Sequence, residues 1–354
     1  MSLPKSQTAV FVQEIGKPLV VGTRDVPTPK SHHILIRVQS TMLLPHDTYG
    51  RDKGLFFGDK LPYILGTNIA GTVVSVGSGV ENFILGDEVF GLGSPISPAP
   101  DECGLQQYAL LDADCSAKIP PGYDFDQMAS IPVNATTSFV ALFNEKGFGF
   151  PIPGSKKEAE WDPKSETILV IGGGSNVGKI ALQFGKLIGL GKILTIASAS
   201  NTSALKELGA THVIDRHQTS LEIQAQIKDI VGSEGLSKIY DCVSWEHNMA
   251  LSLFSPDKPG ILLGLHVVDE AKKTIAERKL NVKATMMLGI SSFMQPHTKA
   301  FWDSLPSWVA NGDLVIGKYK AIEGFNLSAI EEGLDLYRDG NPVTPVVVHP
   351  WGTA

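Results

Sequence analysis

An apolar run that ends in three consecutive glycines, with a helical pattern directly behind it, constrains this chain more than any other feature. It reads ILVIGGGSNVGKIALQFGKL, residues 168–187. TILVI has the length and composition of a short buried strand, and from about Asn176 the apolar residues fall at helical spacing. The alternation then repeats. KILTIA precedes a helix through Leu208, THVID precedes a helix around 218–231, and KIYDCV and GILLGL add further strands. Strands separated by helices predict an α/β fold with a parallel sheet covered on both faces.

The flanking segments read differently. TAVFV and HILIRV, then IAGTVVSVG, GDEVFGLG, QQYALL and CSAKIP, are short apolar runs punctuated by Gly and Pro. They predict a compact, barrel-like β domain. FDQMASIPVNATTSFVALFNE carries helical spacing with Asp124 as a cap, and the Pro-rich, charged stretch 148–166 reads as an exposed connector. Beyond residue 300, PSWVANGDL and LSAIEEGLDLYRDGN read as helices. The prolines of PVTPVVVH place that run on a sheet edge. With 354 residues, two domains are expected.

Composition narrows the function. A net charge of −7 gives no basic footprint for nucleic acid. No segment approaches the roughly 18 apolar residues of a membrane span. The N-terminal residues lack the pattern of a secretion signal, so a cytoplasmic location is expected. The three cysteines, Cys103, Cys115 and Cys242, are widely spaced without a C-x-x-C pair. A disulfide framework and a structural zinc site are not expected.

Bare backbone after a strand lets the chain turn tightly and lets a diphosphate approach the unpaired N–H groups of the next helix. Gly172, Gly173, Gly174 and Gly178 stand where that is needed, with Ser175, Asn176 and Val177 between them. The spacing departs from G-x-G-x-x-G, because Ser175 stands at the middle position. A branched side chain at Gly173 is expected to occupy the diphosphate space. The strand that follows, KILTIASASNTSALKE, has no Asp or Glu before Glu207 to hold a ribose 2′-hydroxyl. Ser198, Ser200 and Asn201 stand at its end, and Arg216 follows the third strand. Small hydroxyl groups suit a 2′-phosphate, so NADP(H) is favoured over NAD(H). Arg216 reads equally as a phosphate partner or a solvated cation.

The ordered set LPYILGTNIAGTVVSVGSGV, GDEVFG, IPVNATTSFVAL, ILVIGGGSNVGKIALQFGKL and LKELGATHVID resembles the medium-chain dehydrogenase/reductases over nearly the whole chain. Within them the chain is most similar to the zinc-free quinone-reductase branch, in particular to the fungal enoyl reductases acting in trans on polyketide synthases and the ToxD-like oxidoreductases. The FGFPIPG connector and the SASN strand end carry that subgroup likeness. The resemblance implies a GroES-like β-barrel from residues 1–130 and 300–354, a Rossmann domain from 131–299, and an active site in the cleft between them. Relatives usually carry a Ser-Ser-Ser-Val-Gly type turn where this chain has Gly174-Ser175-Asn176-Val177-Gly178. They often have Arg or His at the place of Ser200 and Tyr at that of Arg216.

Alcohol dehydrogenases of that superfamily place a zinc-ligating Cys near position 44 and a Gly-His-Glu motif further on. Here the residues are Leu44 and Gly66-Thr67-Asn68, a poor donor set. His46 reads as a surface or loop histidine. Without a Lewis acid, hydride delivery to the β-carbon of an enone or enoyl thioester is favoured over alcohol–ketone interconversion. The resemblance also implies site residues. Asp47-Thr48-Tyr49-x-Arg51 matches a run of the quinone-reductase branch. Tyr49 reads as a hydrogen-bond donor to the substrate carbonyl or as a side chain packed on the barrel, and Asp47 as a structural acceptor. A phenol, with an ordinary pKa of about 10, is a reluctant proton donor at neutral pH, and solvent serves instead. Thr137, with Thr136 as its neighbour, falls beside the nicotinamide ribose. Leu288, Gly289 and Ile290 fall under the nicotinamide through their backbone. Phe293 and Met294, after Ser291 and Ser292, read as substrate-pocket or plain core residues.

The leading expectation is therefore a zinc-independent, NADPH-dependent reductase of an activated C=C bond in secondary metabolism. Its substrate is a small molecule or carrier-tethered chain, and the protein is a monomer or homodimer. An NADPH:quinone reductase is the alternative enzyme, and a nucleotide-binding structural protein the alternative of another class. No basic patch supports docking to an acidic carrier. Replacing Ser198 with Asp is expected to move the kcat/KM ratio toward NADH. An unchanged NADPH/NADH ratio would place 2′-phosphate recognition elsewhere.

Overall fold

The computed structural model describes residues 3–96, 99–155, 160–232, 235–255, 258–266, 268–290, 294, 296–338 and 343–352. The chain divides into two compact units. One comprises Met1–Val133, Ile290–Asn311 and Ile316–Ala354, the other Asn134–Gly289 and Gly312–Val315. In chain order the first unit begins with β1 (Ser6–Phe11), β2 (Val20–Asp25), β3 (His33–Met42) and α1 (Pro45–Lys53). Then come β4 (Asn68–Val76), β5 (Glu88–Leu92), β6 (Tyr108–Asp112), β7 (Ser116–Lys118) and α2 (Phe125–Ala129). After α3 (Pro132–Phe143) the second unit runs β8 (Thr167–Ile171), α4 (Asn176–Leu187), β9 (Lys192–Ala197), α5 (Thr202–Glu207), β10 (His212–Asp215) and α6 (Ser220–Val231). It continues through β11 (Lys238–Asp241), α7 (Asn248–Leu253), β12 (Gly260–Gly264), α8 (Asp269–Glu277) and β13 (Val282–Met286). The chain re-enters the first unit with α9 (Thr298–Ala310), β14 (Lys320–Glu323), α10 (Leu327–Arg338) and β15 (Val346–His349).

The second unit is a doubly wound sheet of six parallel strands, ordered β10-β9-β8-β11-β12-β13. Its strands are apolar on both faces, as a covered sheet requires. Leu169, Leu194, Ile214, Ile239 and Leu262 form one core with Ile223, Ile227 and Leu251 from the helices. The direction of winding reverses between β8 and β11, so ligands belong at the carboxyl ends of these strands. Val315 is tied to α4 by a 2.6 Å bond from its N–H to the Gln183 amide oxygen. That bond explains why 312–315 joins this unit.

The first unit is built on a sheet ordered β14-β15-β3-β4-β5-β7, with β6 also paired to β3 and β1–β2 as a separate antiparallel pair. Three sequence expectations change here. The single helical pattern after Asp124 is two helices, because Pro132 opens α3 and cannot continue α2. The stretch after α3 is not simply exposed. Phe148 and Phe150 are buried, and the Phe150 ring lies 5.3 Å from Trp161 and 5.6 Å from the Lys238 ammonium. Finally, β15 is interior. It pairs in parallel with β14 and antiparallel with β3. Pro345 precedes the strand, so its missing N–H removes no bond within β15.

His349, at the end of β15, is clasped from two sides. Its Nδ1 lies 2.8 Å from Glu323 on β14 and its Nε2 2.7 Å from Asp126 on α2. Asp124 lines one surface pocket together with Asp126, Glu323 and His349. Burial lowers the His349 pKa, but the two carboxylates more than offset this and hold it above 6.5. A raised folded-state pKa adds stability that is complete below the unfolded value and vanishes as pH climbs through the folded one. Scanning calorimetry from about pH 6 to about pH 9 should therefore show the wild-type midpoint falling by about 2–4 °C, for about 1 kcal/mol. His349→Gln should lack that step; an identical pH profile in the variant would count against the clasp.

Candidate active site

The glycine turn joins β8 to α4 and gives its glycines different tasks. Gly172 has φ +84°, and a Cβ there would lie 2.5 Å from the Val243 side chain. A Cβ on Gly173 would meet the Thr195 hydroxyl at 2.1 Å, and one on Gly178 the Gly172 carbonyl at 2.3 Å. Only Gly174 opens onto space, its nearest neighbour being the Asn201 side chain at 3.7 Å. The expectation that Gly173 faces a diphosphate is thus corrected: Gly173 abuts the buried strand β9.

The amides divide in the same way. Gly172 donates to the Ile196 carbonyl, Gly173 to the Thr195 hydroxyl and Ser175 to the Gly172 carbonyl. Ser175 caps α4 by accepting from Gly178 at 3.1 Å. Among the described residues, the N–H groups of Gly174, Asn176 and Val177 have no protein acceptor. Three such donors at a helix N-terminus, beside a glycine with open space, fit a dinucleotide diphosphate. Thr195 organises this turn, and the sequence reading passed over it; its hydroxyl also donates to the Val170 carbonyl at 2.8 Å. A lone Thr in an otherwise apolar strand was the available signal.

At the end of β9, the Ser198 and Ser200 hydroxyls lie 2.9 Å apart, with Asn201 and Arg216 exposed nearby in sequence and sheet. The chain does bring a carboxylate here, from the next strand. Asp215 on β10 accepts from the Ala199 and His217 amides at 3.2 and 3.3 Å. Because it belongs to β10, it stands outside the sequence of β9. On α3, Thr137 is buried, and its neighbour Ser138 donates to the Val177 carbonyl at 2.9 Å, joining α3 to the first turn of α4. Thr136 is fully buried, and its hydroxyl has no partner among the described residues. Leu288, Gly289 and Ile290 lie beyond the end of β13 rather than within a strand, and the units divide between Gly289 and Ile290. Ser291, Ser292 and Phe293 lie outside the described residues; Met294 is fully buried.

In the first unit, the run 47–51 sits on α1. Asp47 accepts from the Leu44 and Gly66 amides at 2.8 and 2.9 Å, Thr48 donates to the Leu334 carbonyl, and buried Arg51 pairs with Asp52, Glu331 and Asp335. Those three side chains fasten α1 to its surroundings. Tyr49 is half-buried, with the Lys53 ammonium 5.8 Å from its ring. His46 is not a surface residue. Its Nε2 lies 3.1 Å from the Thr67 hydroxyl and its ring stands edge-on to Phe56. With Asp47, Tyr63 and Cys103 these side chains line a small recess, hardly larger than one water molecule. Burial lowers the His46 pKa against the opposing effect of Asp47, so the imidazole is neutral at pH 7. The donor set does not fit zinc. Leu44 is apolar and buried, the Asp47 oxygens are spent on amides, and Asn68 accepts from the Val133 amide.

Residues 30–121 match the family described as alcohol dehydrogenase GroES-like domain, and residues 176–305 match zinc-binding dehydrogenase. The Monascus pilosus dehydrogenase mokE is 30% identical, with 96% of this chain and 95% of that protein covered. The chain belongs to the medium-chain dehydrogenase/reductase superfamily. It is an oxidoreductase of that superfamily. The enoyl reductase component lovC of the lovastatin nonaketide synthase of Aspergillus terreus is 28% identical, over 95% of this chain and 94% of that one. In fold the chain is similar to a Pseudomonas syringae pv. Tomato DC3000 quinone oxidoreductase. The TM-score is 0.77 at 20% identity, covering 97% of this chain and 100% of the other.

Gly174→Val should fold with an unchanged thermal midpoint yet bind NADPH at least ~10-fold more weakly by calorimetry, because its side chain enters open space beside the three donors. Gly173→Val should instead lose about 1–3 kcal/mol of stability by overpacking against Thr195. Wild-type affinity in Gly174→Val would refute this placement of the diphosphate.

Proposed function

We propose that this chain uses NADPH to reduce the C=C bond of an α,β-unsaturated carbonyl compound, either a small molecule or a carrier-tethered enoyl thioester. The observation that carries the reading is the pairing of a diphosphate-type turn in one unit with a non-ligating Leu44–Thr67–Asn68 set in the other. Likeness to lovC, whose name describes an enoyl reductase component, supports the substrate class. NADP(H) is preferred over NAD(H) because the Ser198–Ser200 hydroxyl pair and Arg216 offer donors to a 2′-phosphate. One Asp215 oxygen is already spent on two amides.

Bound NADPH supplies a hydride to the β-carbon. The chain's part is to hold that reductant through the Gly174, Asn176 and Val177 amides, with Thr137 on α3 beside the nicotinamide ribose. Charge then develops on the carbonyl oxygen. We assign Tyr49 to donate a hydrogen bond there, a contribution of about 10²–10³ in rate for one well-placed donor. The α-carbon takes its proton from solvent.

NADPH oxidation should be followed with 2-enoyl thioesters, simple enones and quinones. At least ~10-fold higher kcat/KM for the enoyl and enone acceptors, unchanged after dialysis against a chelator, is expected. Faster turnover of quinones would make the chain a quinone reductase, and loss of rate on chelation would reinstate a metal. Tyr49→Phe should lower kcat with little change in NADPH affinity.

A further inference from the structure

The residue that closes β15 is held in a way that only one protonation state allows. His349 Nδ1 lies 2.8 Å from Oε1 of Glu323 on β14, and its Nε2 lies 2.7 Å from Oδ1 of Asp126 on α2. A carboxylate only accepts hydrogen bonds, and a neutral imidazole has a single N–H to give. Both contacts are hydrogen bonds only when the ring carries two protons. The geometry is therefore that of an imidazolium between two carboxylates. The surroundings agree with it: burial lowers the His349 pKa, but Asp126 and Glu323 outweigh burial and raise it above 6.5.

The charged groups that share its pocket are of one sign. Asp124 and Asp126 come from α2, and Glu323 from β14. The Tyr319 hydroxyl, just before β14, lies 3.5 Å from Asp124. Burial, then Asp124 and Asp126, raise that phenol above its ordinary value, so it does not titrate in the range where histidine does. From β3 comes uncharged Gln39, while the Arg37 guanidinium is taken up over the Trp351 ring, 3.9 Å from its centre. Among the described residues that line this pocket none is Lys or Arg. Loss of the His349 proton leaves the carboxylates with no cation between them.

The neutral ring keeps one proton and has to give up one partner. The Asp126 side chain is 18% exposed and that of Glu323 66%. Water can take over the Glu323 carboxylate, whereas Asp126 would be left largely desolvated. The proton therefore stays on Nε2, toward Asp126, and Glu323 departs. The two partners hold different parts of the chain. α2 is the last element to lie wholly in the first unit before the chain leaves it at Val133, and β14 is the first element after the final return at Ile316. β14 has four residues, stands at the edge of its sheet and, among the described strands, pairs with β15 alone. We propose that His349 is a pH-operated latch: protonated, it fastens the chain's first exit and final return to one point, and on deprotonation it releases β14 while keeping α2. The opening is local to an edge strand and does not depend on which substrate the chain takes.

Hydrogen–deuterium exchange of the full chain, read by mass spectrometry on peptides covering 320–324 and 125–130, tests it. After correction for intrinsic base-catalysed rates, β14 amides should exchange at least ~10-fold faster at about pH 9 than at about pH 6, the factor expected from one hydrogen bond to a charged group, while α2 stays protected. His349→Gln, uncharged throughout, should show the faster β14 exchange at both pH values. Glu323→Gln, a change at a mostly exposed side chain, should do the same, and it serves if His349→Gln does not fold. Equal β14 protection at the two pH values in the wild type would overturn the latch, and so would a pH step that persists in either variant. A step in α2 with β14 unchanged would put the retained proton on Nδ1 and overturn the direction of release.

Discussion

One hydroxyl decides which backbone groups this protein can offer to a ligand. Thr195 sits in the middle of a buried strand and engages both the Val170 carbonyl and the Gly173 amide. With Gly173 spent and Gly172 extending the sheet toward Ile196, the chain is forced through its turn so that Gly174, Asn176 and Val177 emerge unpaired at the mouth of α4. Leaving three main-chain donors unsatisfied has a cost in any folded protein. It is tolerable here because the helix dipole at the start of α4 reinforces the donors, an arrangement suited to an anion.

The first unit follows the same economy. Where a metal-dependent relative would gather ligands, this chain commits its polar groups to one another. Asp47 closes on two amides, Thr67 on His46, and Asn68 on Val133. Arg51, enclosed by three carboxylates, locks α1 against α10 and so fixes the face on which Tyr49 is displayed. The neutral His46 imidazole completes this arrangement at physiological pH.

The parallel sheet and its glycine turn were legible in the sequence because they rest on local signals: apolar runs, helical spacing and the need for φ > 0 at Gly172. What escaped came from residues brought together across strands. Asp215 reaches the end of β9 from β10, and Val243 reaches Gly172 from the far side of the sheet's switch point. No window along β9 or the turn contains either. The partial burial of His46 escaped for the same reason, since Thr67 and Phe56 are its partners and neither is adjacent to it in sequence. Pro345 misled because it precedes the strand without entering it, and pairing with β3 and β14 makes β15 central.

That central strand bears on how the protein is made. Val347 of β15 pairs with Met42 of β3, while the whole six-stranded sheet is encoded between them. A ribosome therefore completes the parallel-sheet unit before it has synthesised the strand that fills the gap between β14 and β3. Until then only the Thr41–Met42 end of β3, beyond its pairing with β6, lacks a neighbour, and the earliest-made unit is the last to close.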